Sequence, residues 1–506
     1  MFDQSFAWLL MLLFFAFTLR FLSIQAVSPL RSVPGPLLAR LTPLWEVYAL
    51  VKHDFATYNS LLHEKFGWYR TTILCETLLT SEGPVVRLGP KRYSIRDAKG
   101  TKAVLHKLLD KSEFYYPFGD PLLRNVFSAA SATTHHELRQ QTSTLYSIAA
   151  SLTYEPCVDS CITALFERLK HYAINRQEFE IRELMQHYAF DAIGQVTVSA
   201  DFGLLRNAHD ESGVITAIHQ TITYGAIVGL VPKTHWWFGK LSGILRLEPP
   251  FTRITKFVTR HIEERRNSRT QPSHERHDFL AKLLKLELTN KISSEDTFNA
   301  CLSNIVAGSD TIAIALSSVI IQLSMKQNDL DTLRRELDEA VEQGIMSDPP
   351  LFSEMRRLRY LDAVIREALR IHPVVGQPIV RCIGTLGANI AGYDFPPGTE
   401  VGINPWVHDR SKVIFGDDAT AFEPARWLTS NEKARKALEG CLTFGAGARI
   451  CPGKNISLME LFKVVPYIVR HFDFILTPDE AKGTAYTWAT AWFVKPTSRC
   501  RVKMRS

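Results

Sequence analysis

Apolar residues recur at helical spacing through most of the chain between about residues 100 and 370, as in Ser353 to Ile371, and this predicts a mainly helical body. Short strand-like runs at Val85 to Leu88, Ile379 to Ile383, Asn389 to Tyr393 and Tyr486 to Val494 predict a minor sheet. One helix stands apart. Ser293 and Asp296 have the spacing of a capping box ahead of an apolar run that reaches about Met325. At about 1.5 Å per residue, a helix of that length crosses a domain. Asn304, Ala307, Gly308 and Thr311 fall at i, i+3, i+4 and i+7 and so share one face. That face is small and partly polar where a core stripe carries Leu, Ile or Phe. Gly308 costs about 1 kcal/mol relative to alanine in a helix interior, in exchange either for room beside a ligand or for close packing against another helix. The charge-dense stretch Arg260 to Asp278 reads as a solvated loop.

At the amino end every residue from Phe6 to Phe17 is apolar and the run continues to Val27, about the 20 residues of a membrane-spanning helix. Arg20 lies near its end, where an arginine snorkels to the headgroups. The only charged side chain before the run is Asp3, which disfavours a cleaved signal peptide with its basic leader. Arg20, Arg31, Arg40 and Lys52 follow it, so the remainder is expected on the cytosolic face. The expected division is a membrane anchor over residues 1–28 and one catalytic domain over 29–506, hinged at Pro34-Gly35-Pro36. With 506 residues, 46% hydrophobic and 22% charged, the composition excludes a disordered or low-complexity scaffold. The net charge of +7 suits an anionic membrane or an acidic protein partner and gives no sign of nucleic-acid binding. Eight scattered cysteines, without a CxxC pair, exclude a structural zinc cluster and a disulfide framework.

The candidate chemistry lies in Phe444-Gly-Ala-Gly447-Ala-Arg449-Ile-Cys451-Pro-Gly453, which fits F-x-x-G-x-R-x-C-x-G. At average residue usage such a match arises in about one chain of this length in ten thousand. Its glycines let the backbone turn sharply and approach a flat ligand. Cys451 can present a thiolate to a metal, and Arg449 a fixed cation to an anion. An iron porphyrin answers to both, through its propionates and an iron that takes an axial sulfur; a thiolate there favours O–O cleavage. A glycine-rich turn around a buried cysteine is the plainer alternative.

On these residues the sequence resembles the cytochrome P450 family of haem-thiolate monooxygenases, over nearly the whole chain. The resemblance implies the P450 fold, mainly α with a minor β-sheet region, behind one N-terminal transmembrane helix. It implies haem b (iron protoporphyrin IX) with Cys451 as axial iron ligand, in a loop that includes Phe444, Gly447 and Gly453. Arg449 and Arg381 are the implied propionate partners, joined by Arg139 of His135-His-Glu-Leu-Arg139, with His135 the weaker candidate. Ala307-Gly308-Ser309-Asp310-Thr311 matches the family stretch over the haem: Ala307 and Gly308 line the cofactor, and Asp310 and Thr311 deliver protons. E-x-x-R occurs five times, and position singles out Glu367 and Arg370. With Arg426 of Phe422-Glu-Pro424-Ala-Arg426-Trp427 they form the family's structural triad.

Phe114 to Phe127, Tyr224 to Phe238, Val374 to Gln377 and Trp488 to Trp492 correspond to pocket-lining segments of the family. Their aromatic residues favour a small apolar or aromatic substrate, and serve equally as core or membrane-contact surface. Val401-Gly-Ile-Asn404-Pro-Trp406-Val is similar to fungal, pisatin-demethylase-like members of secondary metabolism. The expected enzyme is a monooxygenase of the endoplasmic reticulum membrane that uses O2 and NADPH-derived electrons in a tailoring step. Its expected partners are NADPH-cytochrome P450 reductase and cytochrome b5. The chain runs only about fifty residues past Cys451, so the reductase is expected to be a separate protein. The rivals are oxidation of a sterol or other housekeeping lipid, a haem-thiolate isomerase or dehydratase, and a non-catalytic haem or sterol carrier.

Overall fold

The computed structural model describes residues 29–52, 54–71, 83–107, 109–119, 125–246, 248–267, 277–477 and 492–505, with 8, 11, 12, 15, 16, 18 and 19. The anchor expected over residues 1–28 and the strand expected from Tyr486 therefore lie largely outside the described residues. Six helices position the site: α1 (Ala132–Thr142), α2 (Ile181–Val198), α3 (Val214–Val228), α4 (Ser294–Met325), α5 (Arg359–Ile371) and α6 (Lys454–His471).

Helix α4 begins and ends where the sequence predicts. Ser293 Oγ accepts from the Asp296 N–H at 3.0 Å, and the Asp296 carboxylate accepts from the Ser293 N–H at 2.9 Å. Among the described residues α4 alone is long and apolar enough to cross a membrane, yet 78% of its apolar window is buried in the protein, as in a core helix. It packs closely on α2. A Cβ added to Gly308 would lie 2.6 Å from Ile193 Cγ1, so the glycine admits the neighbouring helix.

The main sheet has the order β1 (Val85–Arg87), β2 (Arg92–Ile95), β7 (Glu400–Ile403), β4 (Ile379–Cys382), parallel between β2 and β7 and antiparallel elsewhere. A second sheet orders β3 (Phe179–Glu180), β9 (Arg499–Met504) and β8 (Phe472–Leu476). Asn389 to Tyr393, read from sequence as one strand, is the turn region of a hairpin between β5 (Ala388–Ile390) and β6 (Tyr393–Phe395). Ala391 and Gly392 both take positive φ, at 52° and 78°, matching the twist a tight hairpin requires. The helix expected over Ser353 to Ile371 is split into Phe352–Met355 and α5. The break is capped from outside, by Glu336 accepting from the N–H groups of Tyr360 and Leu361 at 2.8 and 2.9 Å. Arg260 to Asn267 is not loop but the end of a helix (Pro250–Asn267), and Arg265 forms a buried ion pair with Asp278 at 2.6 Å.

Glu460 on α6 lies fully buried beside Tyr188, and burial pushes its carboxyl up to about 8. Because the folded pKa is raised, the stability tied to its proton is present below the unfolded value and lost as pH rises toward 8. Glu460→Gln is therefore expected to raise the melting temperature at pH 8 and leave it nearly unchanged at pH 5. An equal shift at both pH values would contradict this assignment.

Candidate active site

The cysteine loop leads into α6. The Cys451 N–H donates to the Phe444 carbonyl at 2.8 Å and the Gly445 N–H to Leu442 at 2.8 Å, while Gly445 and Gly447 take positive φ of 71° and 70°. At Gly447 an added Cβ would lie 2.1 Å from the Leu105 carbonyl oxygen, so this glycine is required by the protein backbone itself. At Gly453 the same atom would come only to 3.9 Å, in ordinary contact with Cys451 Sγ. Burial pushes the Cys451 thiol up, while the Gly453 and Lys454 N–H groups and the charges of Arg139 and Lys454 draw it down. Phe444 is half-buried, with the Lys454 ammonium 5.8 Å from its ring centroid.

Beneath the loop lies the expected triad. Glu367 and Arg370 on α5 are fully buried, and Arg370 grips the carboxylate with both Nε (2.9 Å) and Nη2 (2.7 Å). Arg426 Nε donates to Glu367 Oε1 at 2.9 Å, and Trp427 Nε1 to Oε2 at 2.8 Å. Asp409 joins this cluster to the cysteine loop. Its carbonyl accepts from Arg370 Nη1 at 2.7 Å, and its carboxylate accepts from the Leu442 N–H at 3.0 Å. Sequence reasoning missed Asp409, which stands in no motif.

Cations gather on the other side of the loop. Arg449 donates to the carbonyls of Ala129 (2.8 Å) and Ala130 (2.7 Å), and Arg139 on α1 to that of Ile450 (2.5 Å). Arg381 on β4 donates to the Val380 carbonyl at 2.8 Å. Lys111, absent from the sequence-level set, holds its ammonium over the rings of Tyr115 and Phe127 at 4.2 and 4.4 Å. Burial, then Arg381 and Arg449, push Lys111 well below the ordinary lysine value, and burial with Arg381 brings Arg449 down to about 10. His135 is buried, and burial with the surrounding cations takes it down to about 4, so at neutral pH it is uncharged. It contributes no cation of its own. Asp110 is the acidic group that acts on Arg449, leaving positive charge in excess. Such a set is suited to a ligand bearing carboxylates.

On α4, Ala307 is exposed and Gly308 and Thr311 half-exposed, although this is the core helix of the molecule. These open positions lie along one face of α4. Tyr146 spans from it to the start of α6, its hydroxyl donating to Asn304 at 3.4 Å and its carbonyl accepting from Asn455 at 2.9 Å. Asp310 and Thr311 are not bonded to each other. Thr311 Oγ1 donates to the Ala307 carbonyl at 2.7 Å, whereas Asp310 is buried and ion-paired to Lys495 at 3.0 Å. Burial pushes the Asp310 carboxyl up, but Lys495 and His219 outweigh it and hold it below the usual carboxylate range.

A loop that turns a cysteine toward the start of a helix, beside cations in excess, defines a haem-thiolate protein. The chain belongs to the cytochrome P450 family, whose sequence profile matches residues 75–504. It is 36% identical to a pisatin demethylase of Fusarium vanettenii, over 94% of this chain and 89% of the relative. It is 34% identical to a cytochrome P450 monooxygenase of Aspergillus terreus, over 88% of this chain and 90% of that one. To the cytochrome P450 monooxygenase gsfF of Penicillium aethiopicum it is 29% identical, over 92% of each chain. The chain is accordingly a haem-thiolate monooxygenase with haem b as cofactor, and it works with a redox partner on a small-molecule substrate. Haem fits the residues present: burial raises the free Cys451 thiol, but the helix-start N–H groups and Arg139 beside it are placed to favour a thiolate on iron, and the surplus cations suit the propionates.

Proposed function

We propose that this monooxygenase oxidises a small apolar or aromatic molecule in a tailoring step of secondary metabolism. It would be anchored through residues 1–28 in the endoplasmic reticulum membrane, with 29–506 as a cytosolic catalytic domain. Electrons come from NADPH through cytochrome P450 reductase, with cytochrome b5 as an additional donor. The observation that carries the substrate class is an aromatic wall whose accessible rings, Phe118 and Phe127, are backed by the buried Phe114, Tyr115 and Trp492. Ring centroids lie 5.1 Å apart for Phe118 and Trp492, 5.5 Å for Tyr115 and Phe127 and 5.6 Å for Phe114 and Trp492. The wall adjoins the cation cluster through Lys111, over two of its rings. Offset and edge-on rings of this kind favour a flat apolar guest. Two relatives that bear the name pisatin demethylase support the same class.

In this reading Cys451 would bind the haem iron, and Arg449, Arg381, Arg139 and Lys111 would hold the propionates. Phe444, Gly447 and Gly453 set the path of the loop. Bound haem supplies the iron centre at which O2 is reduced and one of its atoms passes to the substrate. Ala307 and Gly308 keep side chains off the cofactor's face, Thr311 presents its hydroxyl there, and Asp310 moves protons toward it. Glu367, Arg370 and Arg426 keep the cysteine loop in register. For the membrane, support comes from exposed apolar residues on the helix His235–Ile244, among them Trp237 (66% exposed) and Ile244 (78%), and from Leu37 and Leu44.

The test is a substrate screen on microsomes that contain the protein and a reductase. The panel is pisatin, other apolar aromatic compounds and sterols. The expected result is a substrate-induced Soret shift with an aromatic compound and a product that forms only with NADPH. Product formation without NADPH would favour an isomerase or dehydratase, and shifts with sterols alone would favour lipid oxidation.

A further inference from the structure

Three side chains from three parts of the fold converge on one oxygen of Asp310. Its Oδ1 accepts from Gln186 Nε2 on α2 and from Lys495 Nζ in the C-terminal segment at 3.0 Å, and lies 2.9 Å from His219 Nε2 on α3. The donors also touch each other: Gln186 Nε2 is 2.7 Å and Lys495 Nζ 2.6 Å from His219 Nε2. One ring nitrogen cannot donate to Asp310 and accept from Lys495 in the same protonation state. With Nε2 bare, Lys495 bridges His219 and Asp310. With Nε2 protonated, His219 donates to Asp310 and Lys495 keeps only its bond to the carboxylate. The contacts thus describe a place for one mobile proton.

Access to solvent is uneven. The His219 side chain is 28% exposed, against 6% for Lys495 and 2% for Asp310. The second oxygen of Asp310, Oδ2, is buried and has no hydrogen-bond partner among the described residues. A buried carboxylate oxygen without a donor calls for an explanation, and readiness to pass a proton onward is one. Around the cluster, Lys495 faces Arg182 and Glu180 at the start of α2, themselves paired at 3.1 Å.

We propose that His219 takes up protons from solvent and hands them to Asp310, with Lys495 as the counter-ion that restores the carboxylate and Gln186 as a brace. This rests on Asp310 being the proton-delivering acid. The step moves a proton alone: it leaves His219 Nε2, arrives at Asp310 Oδ1 and is replaced on the imidazole from water. No electrons change hands. His219 and Lys495 act through Asp310 and are positioning residues.

The test compares haem-loaded wild type with His219→Gln, Lys495→Met, Lys495→Arg and Asp310→Asn, each with a reductase and no added substrate. NADPH oxidation is followed in H2O and D2O, and thermal unfolding at pH 5 and pH 8. His219→Gln should keep the wild-type carbon-monoxide spectrum and melting temperature, slow NADPH oxidation about tenfold or more, and raise the H2O/D2O rate ratio. Lys495→Met should be equally slow and lose more stability at pH 8 than at pH 5, because a buried Asp310 without its counter-ion is tolerated only when protonated. Lys495→Arg should restore both properties. Wild-type rates in His219→Gln and Lys495→Met, beside a slow Asp310→Asn, would overturn this inference alone. A wild-type rate in Asp310→Asn would overturn the underlying assignment of the acid.

Discussion

Glu367→Ala should yield little haem-bound protein. The side chain is fully buried and accepts from Arg370, Arg426 and Trp427 at 2.7 to 2.9 Å, and from the Glu423 N–H at 2.9 Å. Its removal leaves Arg370, also fully buried, without its counter-charge. Breaking a buried pair in this way costs about 3–5 kcal/mol, a large part of the roughly 5–15 kcal/mol that holds a domain folded. The damage reaches the cysteine loop through Asp409, which accepts from Arg370 Nη1 on its carbonyl and from the Leu442 N–H on its carboxylate. Glu367→Gln keeps the shape and some of the hydrogen bonds but not the charge, and should fall between wild type and alanine. Haem content per protein, with the melting temperature, checks this; a normal content in Glu367→Ala would sink the proposed role of the triad.

Arg381→Leu should bind haem about ten- to a hundredfold more weakly, as expected for loss of a charge-assisted hydrogen bond of about 1.5–3 kcal/mol. The haem-free protein should not be destabilised to match. Arg381 lies among Lys111, Arg449 and Arg139, and its charge helps push Lys111 and Arg449 down. Removing one of several like charges relieves repulsion, so Lys111 should titrate nearer its ordinary value in the variant. Haem transfer to an apoglobin and the melting temperature of the haem-free form measure the two effects separately. Unchanged haem retention would remove Arg381 from the propionate site.

How much of this was legible in the sequence follows from how local each signal is. The cysteine loop and helix α4 could be read because their instructions are contiguous: glycines fix the turn around Cys451, and Ser293 with Asp296 closes the start of an apolar run. The triad needed position as well as pattern, since E-x-x-R recurs elsewhere in the chain. Lys111, His219, Asp409 and Lys495 were not legible. Each acquires its meaning from residues far off in sequence; Lys495 meets Asp310 across 185 positions. The break before α5 was hidden for the same reason, because the capping group is Glu336 of another helix. The hairpin around Ala391 was hidden for a different one: alanine in a left-handed turn position gives no compositional warning. At Gly447 the sequence pointed to the right residue for an incomplete reason, since the Leu105 carbonyl already forbids a side chain there, whereas at Gly308 the contact with Ile193 answers to the helix-packing alternative that the sequence left open.

The central claim is that Cys451 supplies the thiolate that binds haem iron. The carbon-monoxide difference spectrum of the reduced, membrane-bound protein, measured beside Cys451→Ser, tests it most directly. The expected result is a strongly red-shifted Soret band in the wild type that is absent from the variant. The same red-shifted band in Cys451→Ser, or no haem band in folded wild-type protein, would contradict it.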